Sequence, residues 1–151
     1  MSAGVRALVG LTVGPTAWRE VTQELIDSHA TVSGDRQWIH TDVERAARES
    51  PFGRTIAHGT LTLALVDGFR DELGGLDEPW LELGVNMGYD RVRFPAPVPV
   101  GSRLRASAAF TAAEPQGGGG FWRVTQRFTV ELEGAERPAC VADCVLGLLP
   151  R

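Results

Sequence analysis

The sequence predicts an α+β domain in which a curved antiparallel sheet wraps around one long helix. Three observations lead there. Residues 60–73 read as a helix whose first half is apolar on nearly every side. Four long stretches with strand character fill the second half of the chain. Helices precede strands without a linker or an internal repeat between them. With 151 residues, the chain fits a single domain, 1–151, large enough to bury a core without disulfide or metal staples.

The elements follow in order. The apolar run 5–13 reads as a short edge strand or as an arm packed across the domain. Thr22 is placed to cap a helix ending near Ser33, with Leu25, Ile26, His29 and Val32 on helical spacing and Gly34 as the stop. A loop carrying Asp35 to His40 comes next. Thr41-Asp42-Val43-Glu44 has capping-box form and opens a short helix to about Glu49, which Pro51 terminates; residues 52–57 read as an ordered loop. In the helix 60–73, Leu61, Leu63, Ala64, Leu65 and Val66 make the first half apolar on nearly every side, and Gly74-Gly75 ends it. A helix apolar all round is a buried one.

The stretches 81–94, 102–112, 121–132 and 139–148 read as strands of an antiparallel meander. In the third, Trp122, Val124, Gln126, Phe128, Val130 and Leu132 alternate with polar residues. In the fourth, Cys140, Ala142, Cys144, Leu146 and Leu148 make one apolar face. The proline-rich segment 95–99 joins the first two, and 115–120 joins the next pair.

Composition narrows the functions. The net charge is −4 and no basic patch is interleaved with aromatics, so a nucleic-acid partner is not expected. All 15 basic residues are Arg and none is Lys, which excludes Schiff-base chemistry and a lysine base. Cys140 and Cys144, four apart on a strand, stand roughly 13 Å apart, too far for a disulfide. Buried thiols, no signal-peptide pattern and no bilayer-length apolar run make the cytoplasm the expected location, away from membranes.

The chemistry-bearing residues concentrate in two short stretches, Gly34-Asp35-Arg36-Gln37-Trp38-Ile39-His40 and Ala57-His58-Gly59-Thr60. A carboxylate and an imidazole five residues apart, beside a helix start, suit the addition or removal of water at an activated carbonyl compound. The alternatives are plain: Asp35 as a turn aspartate and His40 as a helix-flanking residue. Convergence of His40, Asp42 and His58 on a metal lacks any recognisable ligand spacing, and no metal is expected. Gly59 permits close approach of a ligand to an N–H at the positive end of the helix, or merely a tight turn that Thr60 caps. His58 reads as a structural loop histidine. Asp67 marks either a ligand contact or the point where the helix emerges to solvent ahead of Arg70. Asn86, between Gly84 and Gly88, suits a ligand contact in the sheet's concavity or a strand-edge hydrogen bond. Arg91 and Arg93 share a strand face and suit phosphates, although solvated arginines are commoner there.

As a set, these residues resemble the MaoC-like hydratase/dehydratase family, the (R)-specific enoyl-CoA hydratases of hotdog fold. The family pattern is approximately Gly-Asp-x-Asn-Pro-[Ile/Val]-His, then an Ala-containing short helix, then His-Gly before the central helix. Gly34, Asp35 and His40 match with the right spacing, as do Glu44-Arg45-Ala46, Ile56-Ala57-His58-Gly59 and the segment Val92-Arg93-Phe94-Pro95-Ala96-Pro97-Val98-Pro99-Val100-Gly101. Gln37-Trp38 stands where the family has Asn-Pro, which puts the Trp38 indole in the pocket lining. Asp67 stands where some of its hydratases carry a serine.

The resemblance implies a homodimer with a continuous sheet and an acyl thioester, on coenzyme A or a carrier protein, as substrate, with no cofactor. Asp35 and His40 are then the catalytic pair and the Gly59 N–H receives the thioester oxygen. Thr60, Trp38, Asn86 and Asp67 are the candidate substrate contacts. Two other readings stay open: a dehydratase tailoring a polyketide or other secondary metabolite, and a non-catalytic hotdog subunit.

Overall fold

The computed structural model describes residues 2–74, 78–118 and 120–151. Among the described residues, five helices and six strands follow in the order α1 (Ser2–Leu8), β1 (Thr12–Val13), β2 (Arg19–Glu20), α2 (Gln23–Ser33), α3 (Trp38–Thr41), α4 (Val43–Glu49), α5 (Gly59–Glu72), β3 (Leu81–Arg93), β4 (Arg103–Gln116), β5 (Phe121–Leu132) and β6 (Cys140–Pro150). The strands form one antiparallel sheet around α5, which packs on β4, β5 and β6. This is the expected hotdog arrangement.

The core lies between α5 and the concave face. Val66 and Phe69 of α5 meet Phe110 of β4, Val124, Phe128 and Val130 of β5, and Cys140, Ala142, Cys144, Leu146 and Leu148 of β6. The alternation of β5 is therefore the pleat itself, with one residue in two facing the helix. Both cysteines are free, and burial pushes each thiol up to about 11.

The strands do not form a simple meander. The order β1-β4-β5-β6-β3 puts β3 beside β6, with β5 and β6 between it and β4. The separation is three strand spacings, about 14 Å. A hairpin turn of two to five residues cannot span that, but the proline-rich connection 94–102 can. On its way it pairs with the loop before α5, where the Ala57 N–H donates to Val98 O at 2.8 Å and Ile56 bridges Pro99. The crossing thus pins the helix start. Pro115 belongs to β4, opposite Trp122, and not to the turn.

Other expectations change near the helices. The run 5–13 is helical only as far as Leu8, with Val5 fully buried, and Thr12–Val13 pairs with β4. Short apolar runs do not by themselves separate helix from strand. Thr22 caps α2 through its hydroxyl and Gly34 closes it at φ +79°, as the spacing predicts. Val32, however, is 88% exposed, so the buried stripe of α2 is Ile26 and Ala30. The cap of α4 is Asp42, which accepts from the Arg45 N–H, so the capping box at Thr41 does not form.

The central helix begins one residue early, at Gly59 with His58 as cap. It is not buried all round: Thr60, Ala64 and Asp67 lie on an exposed stripe. Arg70, expected in solvent, is buried against the core. Gly74 is left-handed at φ +79°, while Gly75 lies outside the described residues. Among the described residues, no helix is long and apolar enough to cross a membrane.

Candidate active site

Gly34 ends α2 in the left-handed region, with its N–H on Ala30 O, and turns the chain so that Asp35 follows directly. The Asp35 backbone N–H donates to Ser33 Oγ at 3.2 Å, and its own carboxylate accepts from the Gln37 N–H at 3.3 Å. This local turn holds an exposed carboxylate in one place. His40 lies not in the loop, as its spacing suggests, but in the one-turn helix α3, where it is buried. Its Nδ1 meets Ile56 O at 2.6 Å. A carbonyl only accepts, so Nδ1 carries the proton and Nε2 is left with a lone pair.

His58 completes the arrangement. Its Nε2 donates to the backbone carbonyl of Asp35 at 2.9 Å, and its ring stacks on His40 with centroids 3.8 Å apart. Asp35, His40 and His58 each place a ligand atom within 4.8 Å of the others. That spacing suits one water hydrogen-bonded to two of the groups. Asp42, expected beside His40 and His58 in the metal reading, caps α4 instead. His58 Nδ1 is buried and has no hydrogen-bond partner among the described residues.

Gly59 is the first residue of α5, so its N–H has no carbonyl to reach within the helix. A Cβ here would lie 2.6 to 2.9 Å from three atoms of the Phe94 ring. The crossing segment therefore demands glycine at the helix start. Thr60 follows, exposed, with Oγ1 2.9 Å from His29 Nε2. Trp38 is half-buried, and the Arg45 guanidinium lies 4.3 Å from its ring centroid.

Asp67 and Asn86 come together, but away from the pair. Asp67 lies eight residues beyond Gly59, about 12 Å along the helix axis. Its Oδ1 accepts from Arg70 at 2.5 Å, Tyr89 at 3.3 Å and Asn86 at 3.4 Å. Asn86 also donates to Tyr89 Oη and accepts from the Gly88 N–H. Burial, then the Asp67 carboxylate, raises the Tyr89 hydroxyl above its ordinary range. Arg70 continues inward to Gln126 Oε1 at 3.1 Å and Cys144 Sγ at 2.9 Å.

Arg91 and Arg93 do not act as a pair. A register shift separates them, and Arg91 binds Asp143, a carboxylate with 2% of its side chain exposed that Arg127 also holds. The Arg127 hydrogen bond, more than that of Arg91, keeps the Asp143 carboxyl below the usual range.

Three residues that the sequence did not single out support the site. Gln23 Nε2 donates to His40 O at 2.8 Å, and the buried Thr55 hydroxyl donates to Gln23 Oε1 at 2.5 Å, so one side chain ties α2, α3 and the loop before α5 together. His29 is the third. The only sequence signal was that the chain has three histidines, and all three meet here.

The chain is similar to known proteins over nearly all of its length. A model of the MaoC like domain matches residues 5–129. The chain is 44% identical over 144 residues to 3-hydroxyacyl-thioester dehydratase Z of Mycobacterium tuberculosis (strain ATCC 25618 / H37Rv), across 95% of this chain and 93% of that protein. It is 42% identical over 145 residues to Nodulation protein N of Rhizobium leguminosarum bv. viciae, across 95% and 88%. The crystal structure of the MaoC-like dehydratase from Rhodospirillum rubrum superposes with a TM-score of 0.73 at 25% identity, covering 95% of this chain and 93% of that one.

Proposed function

The chain belongs to the MaoC-like domain family, and from that premise we propose that it is a hydro-lyase adding water reversibly to trans-2-enoyl thioesters to give (R)-3-hydroxyacyl thioesters. One observation carries the reading: a carboxylate oxygen of Asp35 and a ring nitrogen of His40 lie within 4.8 Å of one another and of His58, the residue before Gly59 at the start of α5. The 44% identity to a 3-hydroxyacyl-thioester dehydratase supports the same substrate class.

In hydration, Asp35 takes a proton from the bound water as the water oxygen bonds to C3. The C2=C3 electron pair moves toward the thioester, and the Gly59 N–H receives the charge that develops on its oxygen. C2 then gains one proton, relayed through the Asp35–His40 pair, and both groups return to their starting state. Dehydration runs the same steps backward. Acid/base assistance of this kind contributes about 10²–10⁴-fold, and one oxyanion donor about 3 kcal/mol. These steps call for neither metal nor cofactor, and the thioester enters only as substrate. Trp38 and Thr60 flank the reacting carbons. Asp67 and Asn86, about 12 Å along α5, belong to the distal acyl end.

We place two copies of this chain side by side through β3. Among the described residues that strand pairs with β6 alone, so its outer edge offers free backbone donors and acceptors. Leu83, Val85 and Met87 are exposed along it, and the stripe Thr60, Ala64, Asp67 of α5 is open to solvent. A homodimer through this edge would close the site. A reducing cytoplasm suits its two free thiols.

Loss of enoyl-thioester absorbance on mixing crotonyl-CoA with the protein tests the reading, with Asp35→Asn as control. Rapid loss that the variant lacks is the expected result. Equal rates in both proteins would remove the mechanism. Inert CoA esters alongside consumed carrier-protein esters would move the substrate to the carrier.

A further inference from the structure

His29 lies on α2, outside both motifs, yet it touches the site at two points. Its Nε2 is 2.9 Å from Thr60 Oγ1, and its ring centroid is 4.8 Å from that of His58. The three imidazoles thus form a column, His29 to His58 to His40. The two inner ones are each anchored on a backbone carbonyl, His58 on Asp35 and His40 on Ile56. His29 is anchored on a hydroxyl, and that hydroxyl is exposed in the first turn of α5, next to Gly59.

A thioester oxygen accepts hydrogen bonds and donates none. Thr60 can serve it only if its own proton is not already committed. A hydroxyl that donates to an imidazole nitrogen is lost for this purpose, whereas one that accepts from an imidazole N–H keeps its proton free.

We infer that His29 is a positioning residue: it donates its Nε2–H to Thr60 Oγ1 and so turns Thr60 into a second donor toward the thioester oxygen, beside the Gly59 N–H. The inference rests on the hydratase reading above and extends it to a residue of a different helix. Burial, then the neighbouring His58, lowers the His29 pKa, while Asp35 raises it and His40 lowers it further. That lowering favours the neutral ring, which orients the hydroxyl without adding a cation to the column. A second preorganised donor strengthens as charge develops on the oxygen, so its effect falls on kcat more than on KM.

The experiment is a double-mutant cycle on crotonyl-CoA hydration with His29→Phe, Thr60→Val and the double variant, together with His29→Gln. Gln offers an N–H near the position of Nε2. Each single variant is expected to lower kcat about tenfold with KM nearly unchanged, roughly the effect of one lost hydrogen bond. The double variant should be no slower than Thr60→Val alone, and His29→Gln should recover part of the rate. Wild-type kcat in His29→Phe, or a double variant whose loss is the product of the two single losses, overturns the inference.

A wild-type protein that turns over neither CoA nor carrier-protein enoyl esters would refute the hydratase reading, and the hydrogen bond is scored separately. With only three histidines, the imidazole ¹⁵N signals resolve one by one. Thr60→Val is expected to shift those of His29 and to leave its Nε2 proton in faster exchange. Unshifted His29 signals overturn the inference whatever the activity.

Discussion

The first turn of α5 and the stretch two turns further on are both crowded with polar side chains, but they use them differently. Around Asp67, hydrogen-bonding capacity is filled from within. One carboxylate oxygen accepts from Arg70, Tyr89 and Asn86, and Arg70 reaches on to Gln126 and Cys144. Around Gly59, backbone carbonyls fix His40 and His58 from behind, the Gln37 N–H holds Asp35 and His29 holds Thr60, and among the described residues His40 Nε2 and the Gly59 N–H have no partner. The contrast separates a polar group that holds the helix to the sheet from one held ready for something else. A polar network that satisfies itself holds elements together, and one that ends in open donors and acceptors is free to meet a ligand.

Substitutions at the two places should therefore fail in different ways. Asp35→Asn or His40→Ala should lower turnover by about 10²–10⁴-fold and leave the thermal midpoint close to wild type. A midpoint that falls with the activity would make the pair structural. Gly59→Ala should lower both, because its Cβ meets the Phe94 ring. Overpacking costs about 1–3 kcal/mol, and Phe94→Leu in the same chain should restore stability.

In the second region the order reverses. Arg70→Met leaves Gln126 Oε1 buried without its donor, at a cost of about 1–3 kcal/mol in denaturant unfolding. Crotonyl-CoA turnover should stay intact, since a four-carbon chain does not extend so far along the helix. A tenfold loss of kcat would join the two regions into one site.

The smallest effect is on pH. His29 has a lowered pKa in the folded chain, so between that value and the unfolded 6.5 the unfolded chain binds the proton that the folded one does not. Stability therefore falls as pH drops below about 6.5. His29→Phe should flatten that slope in thermal unfolding at pH 5 and pH 7. An unchanged slope would assign it to other groups.

Much of this was legible in the chain. The helix lengths follow from Thr22, Gly34 and Pro51, and the concave face from the alternation of β5. Asp35, His40 and Gly59 stand out because motif spacing lies along the sequence. His29, Gln23 and Thr55 do not, because their roles come from packing α2 on the helix start, a contact between segments far apart in the chain. Asp42 replaces Thr41 as cap because α3 runs through Thr41. The position of β3 was hidden for a similar reason: the proline-rich segment 95–99 reads as the connection between neighbouring strands of a meander, whereas it carries the chain across the sheet.

The buried thiols take on a further meaning beside an enoyl thioester, which is a Michael acceptor. Free thiolates and amines add to such double bonds, and an enzyme that concentrates them risks alkylating itself. Cys140 and Cys144 face the core with pKa values of about 11, so roughly one thiol in ten thousand would be ionised at pH 7 even if the substrate could reach it. The chain has no lysine to offer a side-chain amine. A protein with this composition and this core presents an enoyl thioester with no lysine amine and no exposed thiol.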